Sequence, residues 1–273
     1  MKKVLLSVMM AASMFSLAAC GGGSSTAKKE ETKLVVGASN VPHAEILEKA
    51  KPILAKEGVD LEIQTFQDYV LPNKALAQKQ IDANYFQHIP YLESQMKSEG
   101  YKFEVAGKIH IEPIGIYSKK YKSLKDLPDG ATVVMSNSVA DHGRALQLLQ
   151  AQGLVKIKDG VDPVKATVKD IENPHNLKFK TDVEAALLPK AYENKEGDVV
   201  LINTNYAIDA GLNPMKDSIA REGDKSPYVN VVAVRQGDKD KPAIKKLVEV
   251  LHSKEIQDFI KEKYKGAVVP VSE

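Results

Sequence analysis

The chain has 273 residues, 43% of them apolar and 27% charged, with 38 basic side chains against 36 acidic ones. That suffices for one large or two modest globular domains, and the composition is neither disordered nor fibrous. A formal charge of +2 leaves no excess of cations to neutralise a run of phosphates, so nucleic acid is excluded as a partner bound by counterion release.

Lys2 and Lys3 precede an uncharged, largely apolar run over residues 4–19, the layout of a secretory signal peptide. The run falls short of the roughly 20 residues of a comfortable membrane span. Removing residues 1–19 leaves 36 charges of each sign. Cys20 is the single cysteine, so an internal disulfide and a thiol metal cluster are both excluded. Leu17-Ala18-Ala19-Cys20 resembles the lipobox of bacterial lipoproteins. The resemblance implies cleavage before Cys20, lipid on its sulfur, and a protein held at the outer face of the cell membrane. Residues 20–32 (CGGGSSTAKKEET) have almost no apolar surface and read as a flexible tether reaching roughly 20 Å.

From residue 33 onward, apolar β-prone runs alternate with helical patterns, the signature of an α/β protein. Strands are expected at residues 33–39, 60–66, 102–109, 114–118, 132–136, 199–203 and 229–235. Several are nearly unbroken apolar runs, as in strands covered on both faces. Helices are expected at residues 43–57, despite the interior Pro52, at 73–80, 141–152 and 182–191, and at 241–263 with a break near His252. A break near residue 110 and a return near residue 205 suit two lobes, one of residues 33–110 plus 206–273 and the other of residues 111–205.

Catalytic motifs are missing: there is no Walker loop, nucleophile elbow, dinucleotide fingerprint or H-E-x-x-H. This points away from an enzyme, and no cofactor is implied. A zinc site drawn from His43, His88 and His110 remains an alternative. Three polar stretches stand out. Residues 67–76 (QDYVLPNKAL) and 82–92 (DANYFQHIPYL) place aromatics beside Asn, Gln and His at strand-to-helix junctions, suiting a pocket with apolar walls and a few placed polar groups. Residues 135–146 (MSNSVADHGRAL) carry Arg144, one of three arginines, expected in the first turn of a helix. Free backbone N–H groups there would join the guanidinium in holding a carboxylate. Residues 203–207 (NTNYA) again set amides and an aromatic just past an apolar strand.

In this order these stretches resemble the methionine-binding lipoproteins of the NlpA family, the solute-binding components of methionine ABC importers. The segments that carry the resemblance are VVGASNVPHAEIL at 35–47, FQDYVLPNKAL at 66–76, NYFQHIPYL at 84–92, GRALQLLQ at 143–150, INTNYAIDAGL at 202–212 and SPYVNVVAVR at 226–235. It implies a two-lobed type II periplasmic-binding-protein fold with a ligand cleft between the lobes, and partnership with a membrane permease and its ATPase. It also implies a site in which Tyr69, Phe86, His88 and Tyr91 line the side-chain pocket. Arg144 would take the α-carboxylate, while Asn203, Asn205, Tyr206 and Asn230 would supply polar contacts. The family's loop before G-R-A-L runs P-N-D-x-x-N, whereas here it is Ser136-Asn137-Ser138-Val139-Ala140-Asp141-His142. Asp141 thus stands where an Asn contacts ligand. An anion there could grip the ammonium of methionine, or select a methionine-containing dipeptide or another amino acid.

Overall fold

The computed structural model describes residues 32–271; the signal peptide, Cys20 and all of the tether but Thr32 lie outside the described residues. The apolar runs become the inner strands of two sheets. The described residues start with β1 (Thr32–Ser39), an irregular turn (Asn40–Ala44), α1 (Glu45–Lys56) and β2 (Val59–Phe66), then α2 (Leu71–Ala77), β3 (Ala83–His88), α3 (Ile89–Glu99) and β4 (Phe103–Ile111). A second lobe follows with β5 (Gly115–Tyr117), β6 (Thr132–Ser136), α4 (Val139–Ala151), β7 (Lys156–Ile157), β8 (Ile171–Glu172), β9 (Lys178–Val183), α5 (Leu188–Glu193), β10 (Val199–Ile202), α6 (Thr204–Asp209) and β11 (Ala220–Arg221). The chain then returns through β12 (Val229–Arg235), α7 (Pro242–Leu251), α8 (Lys254–Tyr264) and β13 (Val269–Pro270).

The first sheet has the order β13-β4-β12-β3-β1-β2 and the second β11-β5-β10-β6-β9, with β7 and β8 paired apart. β1 runs parallel to β2 and β3, and β6 parallel to β9 and β10. The returning β12 is antiparallel to both β3 and β4. Both sheets are covered on two faces because successive side chains alternate. In β6, Val133 and Met135 pack with Leu146 and Leu149 of α4, while Val134 packs with Leu188 and Tyr117 on the other side. In the first lobe Val36 and Ala38 meet Leu47 and Leu54 of α1, with Leu247 and Ile260 closing the layer.

Several expectations are corrected. Residues 82–92 hold the inner strand β3, buried at all six positions, and the helix α3. Asn84 and Gln87 are accommodated in that strand because they bond to one another and to Asn73 of α2, at 2.8–2.9 Å. The helix expected at 182–191 is the end of β9, a 3₁₀ turn and α5; β9 joins the sheet edge beside β6. The second sheet extends past residue 205, because β11 pairs with β5, so the return crossing is at residues 222–228 and the outward one at 112–114. α1 stays continuous through Pro52, whose ring lies on the exposed face. The break near His252 is real: Ser253 caps α8 by accepting from the Ile256 N–H.

Gly143 shows why α4 can sit where it does. A Cβ there would come within 2.4 Å of the backbone oxygens of Pro163 and Val164, so the helix packs directly on that loop. Gly143→Ala raises helix propensity yet is expected to destabilise by about 1–3 kcal/mol, since overpacked backbone must shift. Thermal unfolding checks this; an unchanged or higher melting temperature would contradict the close approach.

Candidate ligand-binding site

Residues at or just past the carboxyl ends of β3 in the first sheet and of the parallel neighbours β6 and β10 in the second line one cavity, where the helices that follow begin. Open α/β sheets bind ligands at such a place. Side chains from both sheets line that cavity, a place of the kind small-molecule sites occupy.

One wall is aromatic. Tyr69, Phe86 and Tyr91 lie with ring centroids 5.8–6.1 Å apart. The two tyrosines are pinned by their hydroxyls: Tyr91 Oη donates to the Tyr69 carbonyl at 2.9 Å, and Tyr69 Oη donates to Asn205 Oδ1 at 2.7 Å across to the other lobe. His88 ends β3 and caps α3, its Nδ1 accepting from the Tyr91 N–H at 3.1 Å. That acceptor role leaves the proton on Nε2, which donates to Asp141 Oδ1 at 3.0 Å.

The opposite wall is charged. Asp141 is buried and also accepts from Asn203 Nδ2 at 3.2 Å. Burial works against its charge, but the bond from His88, the Arg144 guanidinium and the Asn203 amide outweigh it and hold the carboxyl at about 2. Arg144 Nη1 lies 3.7 Å from Asp141 Oδ1. Burial alone would lower the guanidinium's pKa; Glu222 and Asp141 reverse the effect and leave it raised. Asn203 Oδ1 is buried without a partner, an acceptor free for a ligand.

Behind these lies Glu112, which also lines the cavity. Its Oε1 accepts from His110 Nε2 at 2.7 Å and lies 3.2 Å from His43 Nε2 without a hydrogen bond, and Tyr85 Oη bonds the far nitrogen of His110. His43 Nε2 donates to Asn230 Oδ1 at 3.1 Å. Among the described residues His43, His110 and Glu112 are the group close enough to share an ion, within 4.8 Å. His110 Nε2 already donates to Glu112 and His43 Nε2 to Asn230, and His88, the third histidine of the zinc alternative, stands apart on Asp141.

Comparison with known proteins bears directly on this site. The sequence profile described as NlpA lipoprotein matches residues 34–272. The methionine-binding lipoprotein MetQ of Bacillus subtilis is 57% identical over 244 residues, which is 88% of this chain and 89% of that protein. The chain belongs to the NlpA lipoprotein family. Among solved structures, a nutrient binding protein from Burkholderia cenocepacia bound to methionine is 46% identical, with TM-score 0.82 over 88% of this chain and 100% of that one. A periplasmic substrate-binding protein of an ABC transporter from Coxiella burnetii is 40% identical, with TM-score 0.82 over 87% and 100%. The fold is therefore the two-lobed α/β fold of periplasmic binding proteins.

Of the residues that the family resemblance singles out, Tyr69, Phe86, His88, Tyr91, Asp141, Arg144, Asn203, Asn205 and Asn230 all line this cavity. Asn137 and Tyr206 do not. Both face a larger neighbouring cavity that shares Tyr69 and Tyr91, and Tyr206 Oη donates to the Gln67 carbonyl at 3.1 Å. Arg144 is in the second turn of α4, not the first, because the helix starts at Val139 after Ser138. It reaches the cavity through its own length, away from the free N–H groups of the helix end. Sequence reasoning did not single out Gln87, Glu112 or Thr204, which also line the cavity. A signal for Glu112 existed in His110-Ile111-Glu112, where alternate residues share a face.

Burial pulls His43 down to about 4 and His110 to about 3, so both are neutral in the folded protein at pH 7. An unfolded histidine titrates near 6.5. Their contribution to stability is complete above that value and lost as pH falls toward 4, because the unfolded chain then binds more protons. Glu112, raised by burial, works in the opposite sense. Urea midpoints of the ligand-free protein are expected to fall steadily from pH 7 to pH 4.5. His43→Gln, which keeps a donor toward Asn230 but does not titrate, makes the fall shallower; a flat parent profile would refute the assignment.

Proposed function

We propose that the protein is the lipid-anchored, extracytoplasmic substrate-binding component of an ABC importer and that it binds methionine, passing it to a membrane permease driven by its ATPase. The observation that carries this reading is a cleft with an aromatic wall on one side and Asp141 and Arg144 on the other, in a chain 46% identical to a protein solved with methionine bound. Aromatic edges suit a polarizable thioether, and a buried zwitterion needs a partner for each charge. In this reading Arg144 Nη1 receives the α-carboxylate, and Asp141 with Asn203 Oδ1 receives the ammonium. Tyr69, Phe86 and Tyr91 enclose the side chain, and the site binds without turnover. Among the described residues no helix is long and apolar enough to cross a membrane, which accords with anchoring through lipid on Cys20.

Calorimetry on protein lacking residues 1–20, with the L and D amino acids and methionine dipeptides as titrants, is expected to give one-to-one binding tightest for methionine. Arg144→Ala should weaken it by about 30-fold or more, since truncating one partner of a buried, hydrogen-bonded charge pair costs roughly 2–5 kcal/mol. Undiminished binding would remove Arg144 from the carboxylate site. In the full chain, Cys20→Ser is expected to leave the membrane fraction; retention there would refute the lipid anchor.

A further inference from the structure

The guanidinium of Arg144 is held on the side away from the cavity. Its Nε and Nη2 both donate to Glu222 Oε2, at 3.1 and 2.5 Å. Nη2 also donates to the Glu112 carbonyl at 2.6 Å, and the Tyr228 ring lies 4.8 Å from the guanidinium carbon. Glu222 is itself fixed: its Oε2 accepts from the Ile114 N–H at 3.2 Å, its Oε1 from Ser226 Oγ at 2.8 Å, and its own N–H donates to the Ile114 carbonyl at 2.9 Å. Glu112 and Ile114 belong to the outward crossing between the lobes; Glu222, Ser226 and Tyr228 belong to the return. One cation on α4 therefore joins both crossings, while Glu222 lies outside the cavity lining.

A guanidinium is a planar fork whose edges bind carboxylates bidentately. Here the Nε–Nη2 edge is already occupied, which turns Nη1 toward Asp141 and the cavity. We propose that Glu222 is a positioning residue for the ligand's carboxylate: from the return crossing it takes one edge of Arg144 and so presents the other nitrogen to the cleft. This rests on the reading that Arg144 binds the carboxylate. Without Glu222 the guanidinium swings between its remaining partners, and the carboxylate loses a donor fixed in place before binding. A ligand with no carboxylate has nothing to lose.

The test compares methionine with methioninamide, which keeps the ammonium and thioether but carries a neutral amide, in the parent, Glu222→Ala, Glu222→Gln and Glu222→Asp. Glu222→Ala is expected to weaken methionine about tenfold or more, the scale of a lost hydrogen bond to a charged group, while its affinity for methioninamide stays within about threefold of the parent's, a limit set well inside that loss. Glu222→Gln, of equal length and with an acceptor oxygen, recovers most of the methionine affinity; Glu222→Asp, one methylene shorter, does not. Equal methionine affinity in parent and Glu222→Ala overturns the proposal, as does a loss shared equally by both ligands. Should Glu222→Ala fail to fold, the Gln and Asp variants decide: a selective methionine loss in Asp supports the role, and equal affinities refute it. Arg144→Ala separates the two readings. If it binds methionine normally, the carboxylate assignment fails; if it loses methionine while Glu222→Ala does not, only the role of Glu222 fails.

Discussion

Arg144 is 3% exposed, and a guanidinium taken out of water must have its charge and its N–H groups answered by protein. The groups that answer it come from sequence positions far apart: Asp141 one turn earlier on α4, the Glu112 carbonyl on the outward crossing, and Glu222 on the return. Removing one partner of such a pair costs about 3–5 kcal/mol. The need to pair a single cation thus constrains how the second lobe's helix meets both connections to the first. Thr204 Oγ1 donates to the Pro113 carbonyl at 2.6 Å, so the start of α6 is fastened to the same crossing.

The same rule governs the polar interior beneath the cleft. An unanswered buried donor or acceptor costs about 1–3 kcal/mol, and nearly every one here has a neighbour. Asn73, Asn84 and Gln87 form a closed set of amides behind β3. Tyr85, His110, Glu112, His43 and Asn230 form a second set that runs from β3 through β4 to β12. Such sets tolerate only one register of the strands that carry them, so the first sheet delivers His88, Glu112 and Asn230 to one end. His43 Nδ1 and Asn203 Oδ1 break the pattern, and Asn203 does so at the cleft, where a ligand can complete it.

Strands such as Thr132–Ser136 and Val229–Arg235 were legible in the sequence because both faces are apolar and β-branched. β3 was not: its residues read as a polar stretch at a strand-to-helix junction rather than as a strand, and their burial depends on partners in α2 and β4 that no local pattern announces. β9 was missed for another reason, since KFKTDV lies at a sheet edge with no position fully buried. At the site, the tyrosines, Phe86 and Arg144 could be picked out by residue type, rarity and the family's segments. Glu222 could not be separated from the other acids among 36, because a contact with Arg144 across 78 residues selects it. The offset between Arg144 and the helix start was likewise invisible without knowing that Ser138, rather than a later residue, precedes the first turn.

The arrangement of charge also says what kind of molecule completes the cleft. Asp141 and Arg144 lie 3.7 Å apart, long for a hydrogen-bonded pair, and each is tied down on its far side, one by His88 and Asn203 and the other by Glu222 and Glu112. Neither spends its cavity face on the other. An anion alone would meet Arg144 but lie against Asp141, and a cation alone would meet Asp141 but lie against Arg144; both would bury an unmatched charge. A zwitterion with its charges on one carbon adds equal and opposite charge and satisfies both faces together. Asp141 makes the demand stricter than an amide would, because an Asn can accept from a neutral nitrogen without penalty, whereas a carboxylate held at about 2 favours a ligand whose nitrogen carries its proton.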